Sequence, residues 1–532
     1  METENVQAGK PQVFLKSITF NDGTQLSLSR NSIIVFAGAN NSGKSQTLKD
    51  VENYFEGKPT IVITGFEADY CGVVDEPTFF NNRFYKCGDG RYQLFEKQIF
   101  GTLGFEKENI QAYWKEHNLK MGLYALFVRR LSTELRLTTS NDLRRDGQAQ
   151  RNPIYKLHGN ETLAQKISDY FRQAFGVDLV VHRREMQTVS LHVGVAPNRS
   201  NYNMDKEDEF YNQVSALPKL QEQGDGMRSF ASILLDTFTS DYTITLIDEP
   251  EAFLHPPQAR ILGKMLAKSN PEGRQLLIST HSEDFLQGLL DTDNENVAVI
   301  RIDRTNSINK MNVLKSEDIK RLWGNPLLRY SNILNGLFHE KVVVCESDYD
   351  CLFYQAVLNA IYENKGEVAP DVLFTHCGGK DRVKDVVAAL KAVNVPVVAI
   401  CDFDLLDSSQ HFKPIATSFR LDWESKIFVD MKVIYDHMNA KGADAWNQIK
   451  KVGKSGLGGD APAAYEKVEI ACKSAGLFVV PVGEMECFDK TINKEKKDWV
   501  YYVLENYNLA TEPKLAAVRE FVQETIDYKP AS

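Results

Sequence analysis

Two series of short apolar strands, each strand ending in polar or acidic residues and followed by helical spacing, predict an α/β protein of two modules. The first series holds a glycine-rich loop between Ile33-Ile34-Val35-Phe36 and a helical pattern through Leu48, Val51 and Phe55. The second places a carboxylate after one strand and an Asp-x-Asp after a later one. At 532 residues the chain exceeds what one hydrophobic core supports. Its 43% apolar and 25% charged residues are ordinary for a globular protein, and no apolar run is long enough for a bilayer, so no membrane segment is expected. Met1-Glu2-Thr3-Glu4-Asn5-Val6 lacks the basic and apolar parts of a secretory signal, which gives a cytoplasmic expectation. A net charge of −10 argues against a protein that coats nucleic acid and confines any DNA contact to a local patch. The eight cysteines, Cys71, Cys87, Cys345, Cys351, Cys377, Cys401, Cys472 and Cys487, contain no C-x-x-C pair. Reduced thiols packed as small hydrophobes are expected, not zinc ligands or disulfides.

In Gly38-Ala39-Asn40-Asn41-Ser42-Gly43-Lys44-Ser45, with Gln46 next, a strand, a loop and a helix follow one another. Backbone N–H groups of such a loop and the positive end of the helix cradle phosphates, Lys44 reaches the β/γ-phosphates, and Ser45 ligates Mg²⁺. A nucleoside triphosphate is the predicted ligand. Thr60–Thr64 reads as a further strand, and Asn109 to Arg136 and Thr162 to Phe175 read as helices. A minimal phosphate-binding core needs no such length between its loop and its acidic strand. Residues 67–215 are therefore read as an insertion, an arm or a dimer contact. Gln223-Gly224-Asp225-Gly226-Met227-Arg228-Ser229 opens a second helix N-terminus that faces phosphate. Thr243-Ile-Thr-Leu-Ile-Asp248-Glu249-Pro250 ends an apolar strand in two carboxylates, Asp248 for Mg²⁺ and Glu249 to polarise the attacking water. Gln275-Leu-Leu-Ile-Ser-Thr-His281 delivers a histidine toward the γ-phosphate after the same kind of strand, whereas His255 keeps a structural reading.

Punctuation at Gly324-Asn325-Pro326 and Asn335-Gly336 sets the expected boundary, with domains at 1–335 and 336–532. Beyond it, Lys341–Cys345 is a strand ending at Glu346, and a helix starts at Asp348. Val372–Cys377 leads into Gly378-Gly379-Lys380, Pro396–Cys401 into Asp402-Phe403-Asp404, and Leu477–Val482 into Gly483-Glu484-Met485-Glu486. Carboxylates at the ends of parallel strands converge on one sheet edge, so Glu346, Asp402, Asp404 and Glu486 are expected to share a site, with Asp350 one helical turn beyond Glu346. Packed carboxylates repel unless cations neutralise them, and hard oxygen ligands suit Mg²⁺ or Mn²⁺.

The order of loop, glycine-containing turn, acidic strand and histidine resembles the ABC-type ATPase head of the RecF/SMC-like and OLD (overcoming lysogenisation defect) families. The phrase Asp248-Glu249-Pro250-Glu251-Ala252-Phe253-Leu254-His255-Pro256 resembles that branch in particular. Gly224-Asp225-Gly226-Met227-Arg228 replaces the transporter-type Leu-Ser-Gly-Gly-Gln signature. The second half resembles a Toprim domain through Glu346, Gly378-Gly379-Lys380 and Asp402-x-Asp404, and Glu484 or Glu486, the latter preferred, resembles the acidic element that follows. The resemblance implies an ABC-type ATPase domain with a largely helical insertion, followed by a Toprim α/β domain. It implies ATP and Mg²⁺ as cofactors, with Mn²⁺ an alternative at the nuclease site. Glu249, His281, Glu346, Asp402 and Asp404 become the catalytic candidates. Ser45, Asp248, Glu346, Asp350, Asp402, Asp404, Glu484 and Glu486 become the metal candidates. A lysine near the metals is also implied, with Lys490, Lys494, Lys496 and Lys497 as candidates.

The activity so implied is ATP-regulated, metal-dependent DNA endonuclease action in anti-phage defence, by a homodimer or larger even assembly, with a defence-system partner protein or nucleic acid. The alternative is an ATP-driven DNA-binding or repair factor that does not cut. Arg129, Arg130, Arg136, Arg144, Arg145 and Arg151 form the candidate phosphate-contacting patch, against a plain solvated helical face, which charge runs more often are. Lys450-Lys451-Val-Gly-Lys454-Ser-Gly-Leu-Gly-Gly459 reads either as a mobile loop near phosphates or as an ordinary surface loop.

Overall fold

The computed structural model describes residues 9–74, 79–80, 84–94, 104–139, 143–144, 152–185, 188–198, 206–314, 333–442 and 444–529. The chain divides into two compact units, Met1–Ser316 and Glu317–Ser532. This division falls nineteen residues before the expected 335/336 boundary.

The first unit is built on a six-stranded sheet in the order Ile308–Leu314, Val297–Thr305, Ile33–Ala37, Gln275–Ser279, Ile244–Asp248, Val128–Leu131. All neighbours are parallel except the first pair. The central strands Ile33–Ala37 and Gln275–Ser279 are buried at every position, and Phe36 packs edge-on against Phe20 of the neighbouring antiparallel strand. The edge strand Val128-Arg129-Arg130-Leu131 lies within the region read as an insertion, so that region contributes to the main sheet and mixes helices with short strands. It also breaks the expected helix from Asn109 to Arg136 into a helix at Lys107–Lys115, a turn at Leu123–Leu126, this strand, and a helix at Thr133–Thr139. Left-handed backbone at His117, Met121 and Gly122 ends the helical run. The helix read at Thr162–Phe175 is found at Glu161–Phe175, capped by the Asn160 side chain.

A second, antiparallel sheet pairs Gln12–Phe20 with Gln25–Ser27 and with Ile63–Cys71. The last of these replaces the strand read at Thr60–Thr64. Its start is fixed by Asp50, a fully buried carboxylate on the helix that follows the phosphate loop. Asp50 accepts the N–H groups of Ile61, Val62 and Ile63 at 2.8, 2.5 and 3.1 Å.

The second unit holds a four-stranded parallel sheet ordered Val372–His376, Lys341–Cys345, Val397–Cys401, Leu477–Val479. Its apolar core runs from Val343 and Ile400 to Trp499 and Phe521. Residues 409–475, between the third and fourth strands, are mostly helical. The lysine- and glycine-rich stretch Lys450–Gly459 is the end of the helix Ala445–Val452 and a tight turn that follows it, not an extended mobile loop.

Replacing Asp50 with Ala leaves the buried N–H groups of Val62 and Ile63 and the partly buried one of Ile61 without this acceptor. We expect the first unit to lose about 3 kcal/mol or more of stability, read from urea unfolding, with the second unit's transition unchanged.

Candidate functional site

The phosphate loop has the backbone its sequence requires. Gly38 and Gly43 sit at φ 144° and 107°, and Asn41 at 61°. A Cβ on Gly38 would lie 2.4 Å from the carbonyl of Ile302, so only glycine lets the loop pass that strand. Lys44 Nζ donates to the carbonyls of Gly38 and Ala39, both at 2.8 Å, and is thereby held over the loop. Asn40 and Asn41 are exposed at the tip, and Ser42 is buried. Gln46 Nε2 donates to Asp50 Oδ1 at 2.7 Å and so faces the helix interior. Asn309, which no sequence signal marked, donates its side-chain N–H to the carbonyl of Ser42 and ties the loop to the sheet.

Ser45 Oγ donates to Asp248 Oδ1 at 2.8 Å, and the Ser279 hydroxyl donates to the same oxygen. The hydroxyl and the carboxylate expected to share Mg²⁺ are thus brought together. Glu249 has left-handed backbone, φ 48°, and its N–H donates to the carbonyl of Ser279 at 3.0 Å. His281 Nδ1 lies 3.2 Å from Glu251 Oε1 and 3.7 Å from Glu249 Oε1. Glu251 also accepts the His281 N–H at 2.9 Å, and burial raises its pKa. Gly224 begins the helix Asp225–Thr239. A Cβ on Gly226 would lie 2.6 Å from the carbonyl of Phe253, which fixes this turn against the loop after Glu249. His255 opens the helix Pro256–Ser269, its N–H donating to Gln258 Oε1 at 3.1 Å, as its structural reading requires.

Among the described residues of the arginine run, the side chains turn to protein partners instead of forming a surface patch. Arg136 is fully buried and Arg129 is paired with Asp236 at 3.5 Å; Arg130 donates to Glu52. Arg145, Arg151 and the side chain of Arg144 lie outside the described residues. The run is interrupted by a sheet strand, which turns alternate residues into the protein.

In the second unit the acids gather where the parallel strands end. Glu346 Oε1 accepts the N–H of Asp402 at 3.0 Å, and the N–H of Gly379 donates to the Glu346 carbonyl at 2.9 Å. Gly378 and Gly379, at φ 74° and 126°, make the turn that permits this. Burial pushes the Glu346 carboxyl up to about 7, with Asp404 and Asp350 adding repulsion against the relief given by the Asp402 N–H. Burial, followed by Glu346, Asp350 and Asp404, raises Asp402 well above its ordinary value. Burial also raises Asp350 and Glu484, each with a contribution from Glu486. Asp350 caps its own helix, accepting from the Ser347 N–H and hydroxyl at 2.9 and 2.8 Å. Glu486 accepts the backbone N–H of Lys496.

Asp404 is different. Its Oδ2 meets Lys450 Nζ at 2.8 Å and Lys380 Nζ at 3.3 Å, while its buried Oδ1 has no hydrogen-bond partner. Lys450 is brought there because its helix packs backbone to backbone on the fourth strand's exit. Glu484 N–H donates to the Lys450 carbonyl at 3.0 Å, and a Cβ on Gly483 would lie 2.0 Å from that oxygen. The lysines on Asp404 are therefore Lys380 and Lys450, while Lys496, one of the expected candidates, acts on Glu484 as a neighbouring charge. Lys494 and Lys497 instead lie over the rings of Tyr502 and Tyr501. Neither was among the lysines expected there: Lys380 stands in the Gly-Gly-Lys turn, and Lys450 opens the stretch read either as a loop near phosphates or as a surface loop.

Among the described residues no three His, Cys, Asp or Glu side chains are closed into a cage for an ion. The carboxylates act on one another as neighbouring charges. A buried carboxylate oxygen without a donor, among hard oxygen ligands whose protons are held by burial and mutual repulsion, is nevertheless the chemistry that a divalent cation relieves.

The family model described as an AAA domain, putative AbiEii toxin, Type IV TA system, matches residues 193–286. That described as the TOPRIM domain of overcoming lysogenization defect protein-like proteins matches residues 337–404. The OLD nuclease of Thermus scotoductus is 27% identical over 174 residues, 30% of this chain; the match spans 30% of that relative's length. Among solved structures, the Smc head domain with an extended coiled coil from Pyrococcus furiosus, bound to the C-terminal domain of ScpA, is 11% identical. It covers 59% of this chain and 99% of its own, at a TM-score of 0.32. The SMC head domain from Thermotoga maritima is 10% identical, covering 58% of this chain and 100% of its own, at 0.29. The first model spans Asp248, Glu249 and His281 and the second Glu346, Asp402 and Asp404, so an AAA-type ATPase domain is followed in this chain by a TOPRIM domain similar to that of overcoming lysogenization defect proteins.

Proposed function

We propose that the chain is an ATP-regulated, divalent-metal-dependent DNA endonuclease that acts in defence against phage. The observation that carries the nuclease reading is the buried, partnerless Oδ1 of Asp404 among Glu346, Asp350, Asp402 and Glu484, whose carboxyls all hold their protons more tightly than usual. Glu346, Asp350, Asp402, Asp404 and one or both of Glu484 and Glu486 would hold Mg²⁺ or Mn²⁺, which when bound supplies an acidic water and neutralises a phosphodiester's leaving oxygen. Lys380 and Lys450 fix Asp404 and add positive charge where a DNA phosphate would enter.

In the head, Lys44 would meet the β/γ-phosphates of ATP, and Ser45 with Asp248 would hold the nucleotide's Mg²⁺. Glu249 would orient water, and His281, half-exposed between Glu249 and Glu251, would face the γ-phosphate. Gly38, Asn40, Asn41, Ser42, Gly43 and Gln46 complete the proposed nucleotide-contacting set. A homodimer or larger even assembly, DNA, and a defence-system partner protein or nucleic acid are proposed on the family likeness. The domains proposed remain the head to about residue 335, with an inserted arm or dimer region, and the TOPRIM domain beyond.

Incubating the purified chain with plasmid DNA and Mg²⁺ or Mn²⁺, with and without ATP, tests this reading. Asp402→Ala and Asp404→Ala should each lose at least about a hundredfold in cleavage rate with ATP hydrolysis retained. Cleavage by Asp402→Ala refutes the proposed site, and an uncut plasmid with the unmutated chain leaves the DNA-binding or repair reading. Glu249→Gln should bind ATP normally and hydrolyse it at least about a hundredfold more slowly, measured by nucleotide binding and phosphate release on one preparation.

The metal-free protein should also show a pH signature. Between 4.5, the ordinary value, and about 7, folded Glu346 keeps a proton that the unfolded chain has lost. Stability in chelator is therefore fullest below pH 4.5 for this group and declines as pH rises through 7, by roughly 3 kcal/mol. Asp402, Asp350 and Glu484 act in the same direction. Urea unfolding in EDTA at pH 5 and pH 8 should show the decline, and Glu346→Gln should reduce it.

A further inference from the structure

We infer that Arg136 is a positioning residue for ATP hydrolysis, holding the main chain of Glu249 and linking it to the helix that starts at Gly224. The inference rests on the reading of the head as an ATPase. Glu249 has left-handed backbone, φ 48°, which a residue with a Cβ keeps only where neighbours impose it. Two such neighbours are in place. The N–H of Glu249 donates to Ser279, and its carbonyl accepts Arg136 Nη2 at 3.0 Å together with the N–H of Ala252 at 3.0 Å. Arg136 Nη1 donates to the carbonyl of Asp248 at 2.7 Å, so one guanidinium spans both acidic residues through their backbone.

A fully buried guanidinium is costly to desolvate, and its cost here is offset by two carbonyls and by the nearby charges of Glu251, Asp248 and Glu249. A core-filling role needs no charge at this place. The planar fork of arginine reaches two carbonyls at once, which an ammonium cannot do in the same geometry. Arg136 is itself anchored: its carbonyl accepts the buried hydroxyl of Ser232, and the next carbonyl, of Leu137, accepts Arg228 Nη2 at 2.7 Å. Ser232 and Arg228 both belong to the helix Asp225–Thr239. A displacement of that helix is therefore passed through the short helix Thr133–Thr139 to the carbonyl of Glu249. The region read as an insertion thus supplies the strut between the Gly224–Arg228 turn and the water-orienting carboxylate.

The test is steady-state ATP hydrolysis with direct nucleotide-binding measurements on the full chain, Arg136→Lys and Ser232→Ala. Arg136→Lys keeps charge and volume but breaks the fork. It should lower kcat at least about tenfold with KM and ATP affinity within about twofold of the unmutated chain. Ser232→Ala, which loosens only the anchor, should lower kcat about two- to fivefold with the same unchanged KM. If Arg136→Lys does not fold, Ser232→Ala decides alone. Unchanged kcat, or a loss carried by KM, overturns the role. No ATP turnover in the unmutated chain overturns the ATPase reading itself, and this role with it.

Discussion

Carboxylates placed at the ends of parallel strands are costly to bury, and both units of this protein are organised around that cost. Strand ends converge on one edge because every strand in a parallel sheet points the same way. The convergence supplies a site and also a repulsion. In the head the repulsion is met locally, by the hydroxyls of Ser45 and Ser279 on Asp248, by His281 between Glu249 and Glu251, and by the guanidinium behind the main chain. Among the acids at the strand ends of the second unit, Asp404 is ion-paired with two lysines, whereas burial and neighbouring carboxylates raise the pKa of Glu346 and Asp402.

What the sequence made legible was contiguous. The phosphate loop, Asp248-Glu249 and Asp402-x-Asp404 each lie within a few residues of an apolar strand, so strand and chemistry are read together, and every one of these strands is present. Residues that act across long separations were hidden. Arg136 meets Asp248 from 112 residues away and Lys450 meets Asp404 from 46, and neither pairing was expected, the first having been read in an arginine patch and the second in a loop. The strand Val128–Leu131 was missed for a different reason. With two arginines in four residues it looks polar, yet each side chain finds an acid, Asp236 or Glu52, at the sheet edge. Helical spacing on either side then invited one long helix, which the left-handed residues between Lys115 and Leu123 prevent.

The segment between the third and fourth strands of the second unit shows how close backbone contact can stand in for sequence proximity. Gly453 and Gly483 have no room for a side chain, since a Cβ would reach 2.2 Å from the Pro481 carbonyl and 2.0 Å from that of Lys450. Gly453, which the sequence reading placed in a loop, and Gly483 are therefore points of tight apposition. They bring Lys450 to the sheet edge as firmly as a shared strand would.

The paired lysines on Asp404 also fix a direction. Two ammonium groups on Oδ2 oppose rotation of the carboxylate about its Cβ–Cγ bond, so Oδ1 is aimed before anything arrives. A ligand that binds this oxygen loses no rotamer entropy to align it. Were that ligand a divalent cation, selectivity would fall to ionic radius and preferred coordination angles, because the donor is held against turning to follow a larger ion.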